Sequence, residues 1–302
     1  MDASFQKLPN GEWNYDMSPF FEKPRLYLAA ISAAVYALLT IGHIFQGIRH
    51  KTKYMIPMIL GCIMELVGWS YRYLSIQDPF DATKFVVQYI AIIIAPILIT
   101  TSLYTLLEKI MHASHPSVAP FKKSGAVFVV VEVLTLFIQV GGAGIASQQN
   151  ADEKTMRFGS NIMVGGIALQ LVSFSCYLGI AGLFYKRAQD LEVKQHVVPL
   201  NSKWKHIFNT LVISSIAVFI RSIFRLIEFI VGYSSALGKN ELYLYGFDFL
   251  LMAFAVTCVN VIHPGRVLNH IPTAAEIDLE KRNATAARGG QVEAPAPAIR
   301  SN

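Results

Sequence analysis

Residues 206–233 read HIFNTLVISSIAVFIRSIFRLIEFIVGY, and this stretch decides the fold class. A helix that crosses the hydrocarbon core of a bilayer, about 30 Å thick, needs about 20 mostly apolar residues. Lipid offers no partner for unpaired backbone groups, so such a stretch crosses as a helix. Three charged side chains, Arg221, Arg225 and Glu228, interrupt it. It therefore predicts a membrane span with one unusual face.

Six further stretches of the same kind precede or follow it. The chain is 53% hydrophobic and only 15% charged, which is too apolar for an ordinary soluble domain. We predict an all-α polytopic membrane protein, a bundle of seven transmembrane helices. The predicted spans are 26–46, 54–76, 85–107, 125–147, 160–185, 206–233 and 242–262. A polar N-terminal segment, 1–25, precedes the 26–262 bundle, and a largely disordered tail, 263–302, follows it.

The distribution of basic residues predicts the orientation of the bundle. Of the 26 lysines and arginines, 16 lie in the first, third and fifth loops and the tail, and 7 lie in the N-terminal segment and the even loops. Cytoplasmic loops carry the excess of basic residues. The N-terminus is therefore predicted to be outside or lumenal and the C-terminus cytosolic. The net charge of +6 then reflects topology, and we expect no nucleic-acid partner.

The charged residues inside the spans are the candidate functional residues. A charge at mid-membrane costs about 2.5 to 3.5 kcal/mol on insertion scales, so such groups normally face the bundle interior, paired or wet. The set predicted to bind or translocate a substrate is Glu65, Arg72, Glu132, Arg221, Arg225, Glu228 and Asp248.

Helical spacing places several of these residues on common faces. Arg221, Arg225 and Glu228 stand at i, i+4 and i+7, and therefore form one stripe that should face inward. Depth along the helices puts most of the charges in the predicted outer half, which suggests a polar cavity opening outward. Pro96, near the middle of the third span, predicts a helix kink. Trp69 and Trp204 lie near span ends and are interpreted as part of the interfacial aromatic belt.

Two interpretations of the intramembrane charges stay open. They could be internal ion pairs that hold the bundle together and touch no ligand. Alternatively they could line a substrate path, since four acids face three arginines and at least one carboxylate needs a cationic ligand, a proton or water. A cationic amine head group would suit that carboxylate. Glycine clusters, Gly141-Gly142-x-Gly144 and Gly165-Gly166, are expected to permit close helix packing.

These motifs resemble those of a known family. Glu65-Leu-Val-Gly-Trp-x-x-Arg72 is similar to the E-x-x-G-Y-x-x-R signature in the second helix of the fungal lipid-translocating exporters, also called RTA-like proteins. Arg221-x-x-x-Arg225-x-x-Glu228-x-x-x-Gly232 resembles the sixth helix of that family. The sequence departs from the pattern at Trp69, where tyrosine is usual, and at Glu132, where aspartate is common. Neither departure changes the chemical class of the side chain.

The resemblance implies a function and a location. It implies a transporter or flippase-like exporter of amphiphilic lipids or toxic amphiphiles, such as sphingoid bases, that confers resistance to them from the plasma membrane. The alternative is a seven-helix sensor or regulator of lipid asymmetry that does not transport. The expected partners are membrane lipids and an amphiphilic small molecule, for which a cationic head group is one candidate. The oligomeric state is open.

An enzymatic role is not expected. An intramembrane zinc hydrolase needs about three convergent ligands, whereas His43, His206 and His263 lie on three different spans or beside them. The chain also lacks the G-x-x-x-x-G-K-[ST] phosphate loop of many ATPases. We therefore expect no metal and no cofactor.

Overall fold

Seven helices long and apolar enough to cross a membrane form the protein in the computed structural model, which confirms the all-α polytopic class. The structure describes residues 7, 12–15, 18, 20, 23–114, 124–146, 152–194, 203–232 and 240–268. The first six helices are α1 Leu26–His50, α2 Ile56–Gln77, α3 Ala82–Ser114, α4 Ser124–Ala146, α5 Glu153–Lys194 and α6 Trp204–Val231.

The seventh span, α7, is built from three consecutive helical pieces. An α-helical turn, Glu241–Tyr243, leads into a π-helical segment, Leu244–Leu250, and then into an α-helix, Leu251–Val261. The side chain of Asn240 caps the start by accepting the backbone N–H of Leu242. π-helical segments are rare and often occur at functional sites, and this one contains Asp248. A short helix, α8 Gly265–Leu268, follows.

Two helices are much longer than their predicted spans. Helix α3 continues past 107 to Ser114, and α5 begins at Glu153 and ends at Lys194. Hydropathy marks only the segment in lipid, whereas polar residues outside it can continue the helix. At the end of α5, Glu192 accepts hydrogen bonds from Trp204 Nε1 (2.9 Å) and Lys205 Nζ (2.5 Å) at the start of α6. Trp204 is fully buried. Its assignment to the interfacial belt is therefore wrong, because its indole contacts protein and not lipid head groups.

Glycines allow α4 and α5 to pack closely. A Cβ atom placed on Gly142 would lie 2.6 Å from the backbone nitrogen of Met163, and one on Gly159 would lie 2.5 Å from that of Ala146. Only glycine permits this approach at both positions. Close packing is therefore confirmed at Gly142. The expectation is wrong for Gly141, Gly144 and Gly165, because within the described part of the chain no atom of another helix lies within 4 Å of a Cβ placed there.

The described residues all belong to one unit, Met1–Asn269. Its surface carries large exposed apolar side chains, among them Leu38, Ile48 and Phe137, as expected where lipid replaces water. The predicted tail, 263–302, lies outside the described residues from 269 onward, and few residues of the 1–25 segment are described. The domain boundaries and the membrane orientation stay predictions.

Candidate functional site

Four of the predicted site residues meet where α6 contacts α7, and we call them the α6–α7 ion cluster: Arg221, Arg225, Glu228 and Asp248. Arg221 Nε lies 2.5 Å from Asp248 Oδ1, and Arg225 Nη2 forms an ion pair with Asp248 Oδ2. Arg225 Nη1 also lies 3.1 Å from Glu228 Oε2. Asp248 is 2% exposed and Arg221 8% exposed. One buried carboxylate thus holds two arginines, and the stripe of α6 faces the bundle interior.

A second ion pair joins α2 to the start of α7. Arg72 Nη2 donates to Glu241 Oε1 at 2.7 Å, and Arg72 Nε donates to the hydroxyl of Tyr245 at 3.2 Å. Glu241 Oε2 also accepts the backbone N–H of Arg25 at 2.8 Å. Sequence reasoning missed Glu241 because it lies one residue before the predicted span. Its spacing of seven residues from Asp248 is the signal that could have found it.

Glu65 has a different kind of partner. Its Oε2 atom accepts a hydrogen bond from Trp69 Nε1 at 2.9 Å, one turn further along α2. Among the described residues, no lysine or arginine forms an ion pair with it, although Arg221 and Arg225 are near enough to interact electrostatically. Trp69 is fully buried and packs against Tyr245 with ring centroids 5.1 Å apart. Its assignment to the interfacial belt is therefore wrong, because its indole N–H has an acceptor inside the bundle.

Glu132, the last predicted acid, has uncharged hydrogen-bond partners. We call the group the Glu132 network: Tyr104, Glu132, Gln139 and Gln170. The Tyr104 hydroxyl donates to Glu132 Oε1 at 2.5 Å, and Gln170 Nε2 donates to Glu132 Oε2 at 2.5 Å. Gln139 Nε2 donates to Gln170 Oε1 at 2.9 Å. Glu132 is 1% exposed. The network links α3, α4 and α5 without an arginine or lysine.

A cavity of about 510 Å³ lies between α3, α4, α5 and α6. Most of its wall is apolar, and Pro96 forms part of it; α3 is a single helix through this proline, and the predicted kink stays a prediction. Of the predicted binding residues, only Arg221 and Arg225 reach the wall. The polar wall residues are Tyr89, Gln139, Gln170, Arg221, Ser222 and Arg225, and no acidic residue is among the wall residues described.

The cavity extends to the lipid-facing surface of the bundle. Val86 and Ile90 of α3, each 49% exposed, and Val140 of α4, 56% exposed, belong to both the wall and the surface. All three lie on spans, so the surface they form faces lipid. The cavity lies in the half of the bundle where α3 begins and α6 ends, which is the predicted outer half. The expectation of a polar cavity is therefore wrong, because the wall is mainly apolar and extends sideways to lipid. That the cavity lies on the outer side of the membrane stays a prediction.

This arrangement suits an amphiphilic ligand. Small-molecule sites are mostly apolar cavities with a few polar groups that fix the orientation of the ligand. Here the polar groups lie on the inner side, on α6 and at the Gln139–Gln170 pair, and the apolar side leads to lipid. Among the described residues, no group of three His, Cys, Asp or Glu side chains could hold a metal ion.

Comparisons with known proteins agree with this architecture. The family model described as "RTA1 like protein" matches residues 58–271. Protein RTM1 of Saccharomyces cerevisiae is 29% identical over 72% of this chain and 70% of its own length. The probable lipid transporter atnI of Emericella nidulans is 27% identical over 80% of this chain and 68% of its own. The sphingoid long-chain base transporter RSB1 of Saccharomyces cerevisiae is 23% identical over 80% and 72%. No solved structure matches the chain.

Proposed function

The chain belongs to the RTA1-like family of membrane proteins, and from that premise we propose that it moves amphiphilic lipids or toxic amphiphiles across the membrane and confers resistance to them. The observation that carries the proposal is the cavity between α3 and α6, which has a polar inner side and reaches the lipid-facing surface. Relatives named as a probable lipid transporter and a sphingoid long-chain base transporter support the substrate class.

The geometry suggests how a head group would be moved. Transferring a polar group into hydrocarbon without a hydrogen-bond partner is costly. The amides of Gln139 and Gln170 and the guanidinium groups of Arg221 and Arg225 can replace part of the water lost by a head group. The hydrocarbon chain would remain along the apolar wall toward Val86 and Val140. Only the head group then needs a polar environment during transfer.

Several finer points belong to the proposal. We place the protein in the plasma membrane with its N-terminus outside, and infer export without chemical conversion of the substrate. A cationic head group, expected from the surplus of acids, would need a carboxylate beside it. Of the four predicted site acids, Glu65 and Glu132 form no ion pair among the described residues, and neither lies in the described wall of the cavity. The part of the cavity wall that the structure describes therefore offers no acid to an amine.

Transport by the purified protein tests the proposal. Labelled long-chain amine, phosphate and carboxylate are compared, the amine because one relative is named as a sphingoid long-chain base transporter. Full-length protein in proteoliposomes should move at least one of these labels between leaflets faster than protein-free liposomes of the same lipid. Saturable binding with no transfer of any long-chain amine, phosphate or carboxylate would contradict the transporter and favour the sensor of lipid asymmetry.

A further inference from the structure

Arg221 is a buried arginine with unused hydrogen-bond donors. Its guanidinium carries five N–H donors, and among the described residues its ion pair is with Asp248, which also pairs with Arg225. The Nε atom is close to Asp248, but its N–H is not aimed at an acceptor. Among the described residues, none accepts a hydrogen bond from its terminal nitrogens, although the residue is only 8% exposed. Native proteins rarely bury such donors without a partner.

Both arginines of the α6–α7 ion cluster border the cavity. Arg221 and Arg225 both form part of its wall, whereas Asp248 and Glu228 do not. Arg225 directs Nε and Nη2 to Asp248 and Nη1 to Glu228, which occupies three of its five N–H groups. The acids that pair with the arginines thus lie outside the described wall of the cavity. The wall thus includes two arginines and, among the residues described, no acidic residue.

We propose that this cavity binds an amphiphile whose head group carries an anion, a phosphate or a carboxylate, held by Arg221 and Arg225. Planar guanidinium groups bind both kinds of oxyanion with directional, charge-assisted hydrogen bonds. Ser222 and the amides of Gln139 and Gln170 lie in the same wall and can bond the uncharged parts of the head group. The proposal rests on the proposed function for its transport role and names the substrate class of that same site.

The apolar part of the wall indicates that the ligand carries a hydrocarbon chain. A cavity of about 510 Å³ is far larger than an inorganic anion requires, and its volume falls in the range of sites for larger organic ligands. The isoleucines and valines of α3 and α4 provide an apolar surface from the arginines toward Val86, Ile90 and Val140 at the lipid face. A long-chain amine placed with the same orientation would put a cation beside two arginines, which is unfavourable.

Four ligands with one tail test the head-group preference. The dissociation constants of hexadecyl phosphate, hexadecanoate, hexadecylamine and hexadecanol are measured with full-length protein in nanodiscs, with partition into empty nanodiscs subtracted. The two anions should bind about 10-fold or more tightly than the alcohol, and the amine no more tightly than the alcohol, since a charge-assisted hydrogen bond is worth a factor of this size. An amine that binds as tightly as the phosphate would overturn the proposal.

Variants of buried arginines provide the matched control. Arg221→Ala should weaken hexadecyl phosphate binding by about 10- to 100-fold and change hexadecanol binding by less than about 2-fold. Arg221→Lys should recover part of the loss, because it restores the charge without the planar fork. Arg72→Ala, outside the cavity wall, should leave the ratio of the two affinities unchanged even where it lowers stability. An equal loss for all four ligands in Arg221→Ala would contradict the proposal.

Inorganic phosphate distinguishes an amphiphile site from a small-anion site. We expect millimolar phosphate to leave hexadecyl phosphate binding unchanged, because it lacks the chain that the apolar wall accommodates. Competition by inorganic phosphate at the affinity of the long-chain ester would contradict an amphiphile site. Tight binding of the anionic amphiphiles without transfer across proteoliposomes would refute the proposed transport and leave this binding site standing.

Discussion

The α6–α7 ion cluster and the Glu132 network both bury carboxylates but surround them with different partners. Asp248 lies between two arginines, whereas Glu132 accepts hydrogen bonds from a tyrosine and a glutamine. Both acids are nearly inaccessible, at 2% and 1% exposure. Burial alone therefore does not distinguish an acid that forms ion pairs from an acid whose hydrogen-bond partners are uncharged. The charge of the partners does.

This difference has consequences for what each region tolerates. Removing one member of a buried ion pair leaves an uncompensated charge in a medium of low polarity, which is strongly destabilising. A carboxyl group whose hydrogen-bond partners are uncharged can be replaced by an amide at lower cost, provided that each donor still has an acceptor. The ion cluster should therefore fix α6 against α7, whereas the Glu132 network should allow more substitution.

Asp248→Asn should have the largest effect on stability. Among the described residues, the change leaves one ion pair in the cluster, between Arg225 and Glu228, and we expect a loss of about 3–5 kcal/mol in the free energy of unfolding. Unfolding of the purified protein in detergent, followed by the fluorescence of its tryptophans, measures the loss. A smaller loss for Asp248→Asn than for Glu132→Gln would contradict the proposed difference between the ion cluster and the Glu132 network.

Arg72→Gln should have an intermediate effect, because it breaks the other ion pair of α7. Arg72 donates to Glu241 and Tyr245, and hydrogen bonds to charged groups are worth about 1.5–3 kcal/mol. Adding Glu241→Gln should restore part of the stability, since two amides can bond each other without a buried charge. A double-mutant cycle measures the coupling. Additive losses would show that the pair contributes no coupling energy.

Glu132→Gln should have the smallest effect, about 1 kcal/mol. The amide oxygen can still accept from Tyr104, but its NH₂ group then faces the NH₂ group of Gln170. Rotation of the Gln170 and Gln139 amides can reverse the direction of the network, because each amide carries donors and an acceptor. The same unfolding measurement applies. A loss as large as that of Asp248→Asn would indicate that Glu132 has an ionic partner.

Much of the architecture was predictable from the sequence because membrane spans are encoded locally. Apolar length gave the seven helices, and the spacing of Arg221, Arg225 and Glu228 placed them on one face. The same logic fails at helix ends in water, where α5 continues well beyond its apolar part. It also fails for Trp69 and Trp204, because position near a span end does not show whether an indole N–H faces lipid head groups or a buried acid.

The partners within the site were not predictable, because they depend on how helices rotate against one another. Seven charged candidates were identified, yet their spacing did not show that Asp248 binds both arginines or that Arg72 binds Glu241. Nor did it show that only Arg221 and Arg225 reach the cavity. The surplus of acids suggested a cationic ligand, whereas the wall of the cavity presents arginines. Counting charges along a sequence ignores which of them face the same space.

Two glycines of α4 allow a direct test of whether substrate passes through the cavity. Gly144 lines the cavity and Gly141 does not, and both have open space where a side chain would begin. Transfer of a labelled long-chain amphiphile is measured in proteoliposomes containing wild type, Gly144→Trp or Gly141→Trp at equal protein content. If substrate passes through the cavity, Gly144→Trp lowers transfer to the protein-free rate, whereas Gly141→Trp keeps the wild-type rate. Full transfer by both variants would contradict a path through this cavity.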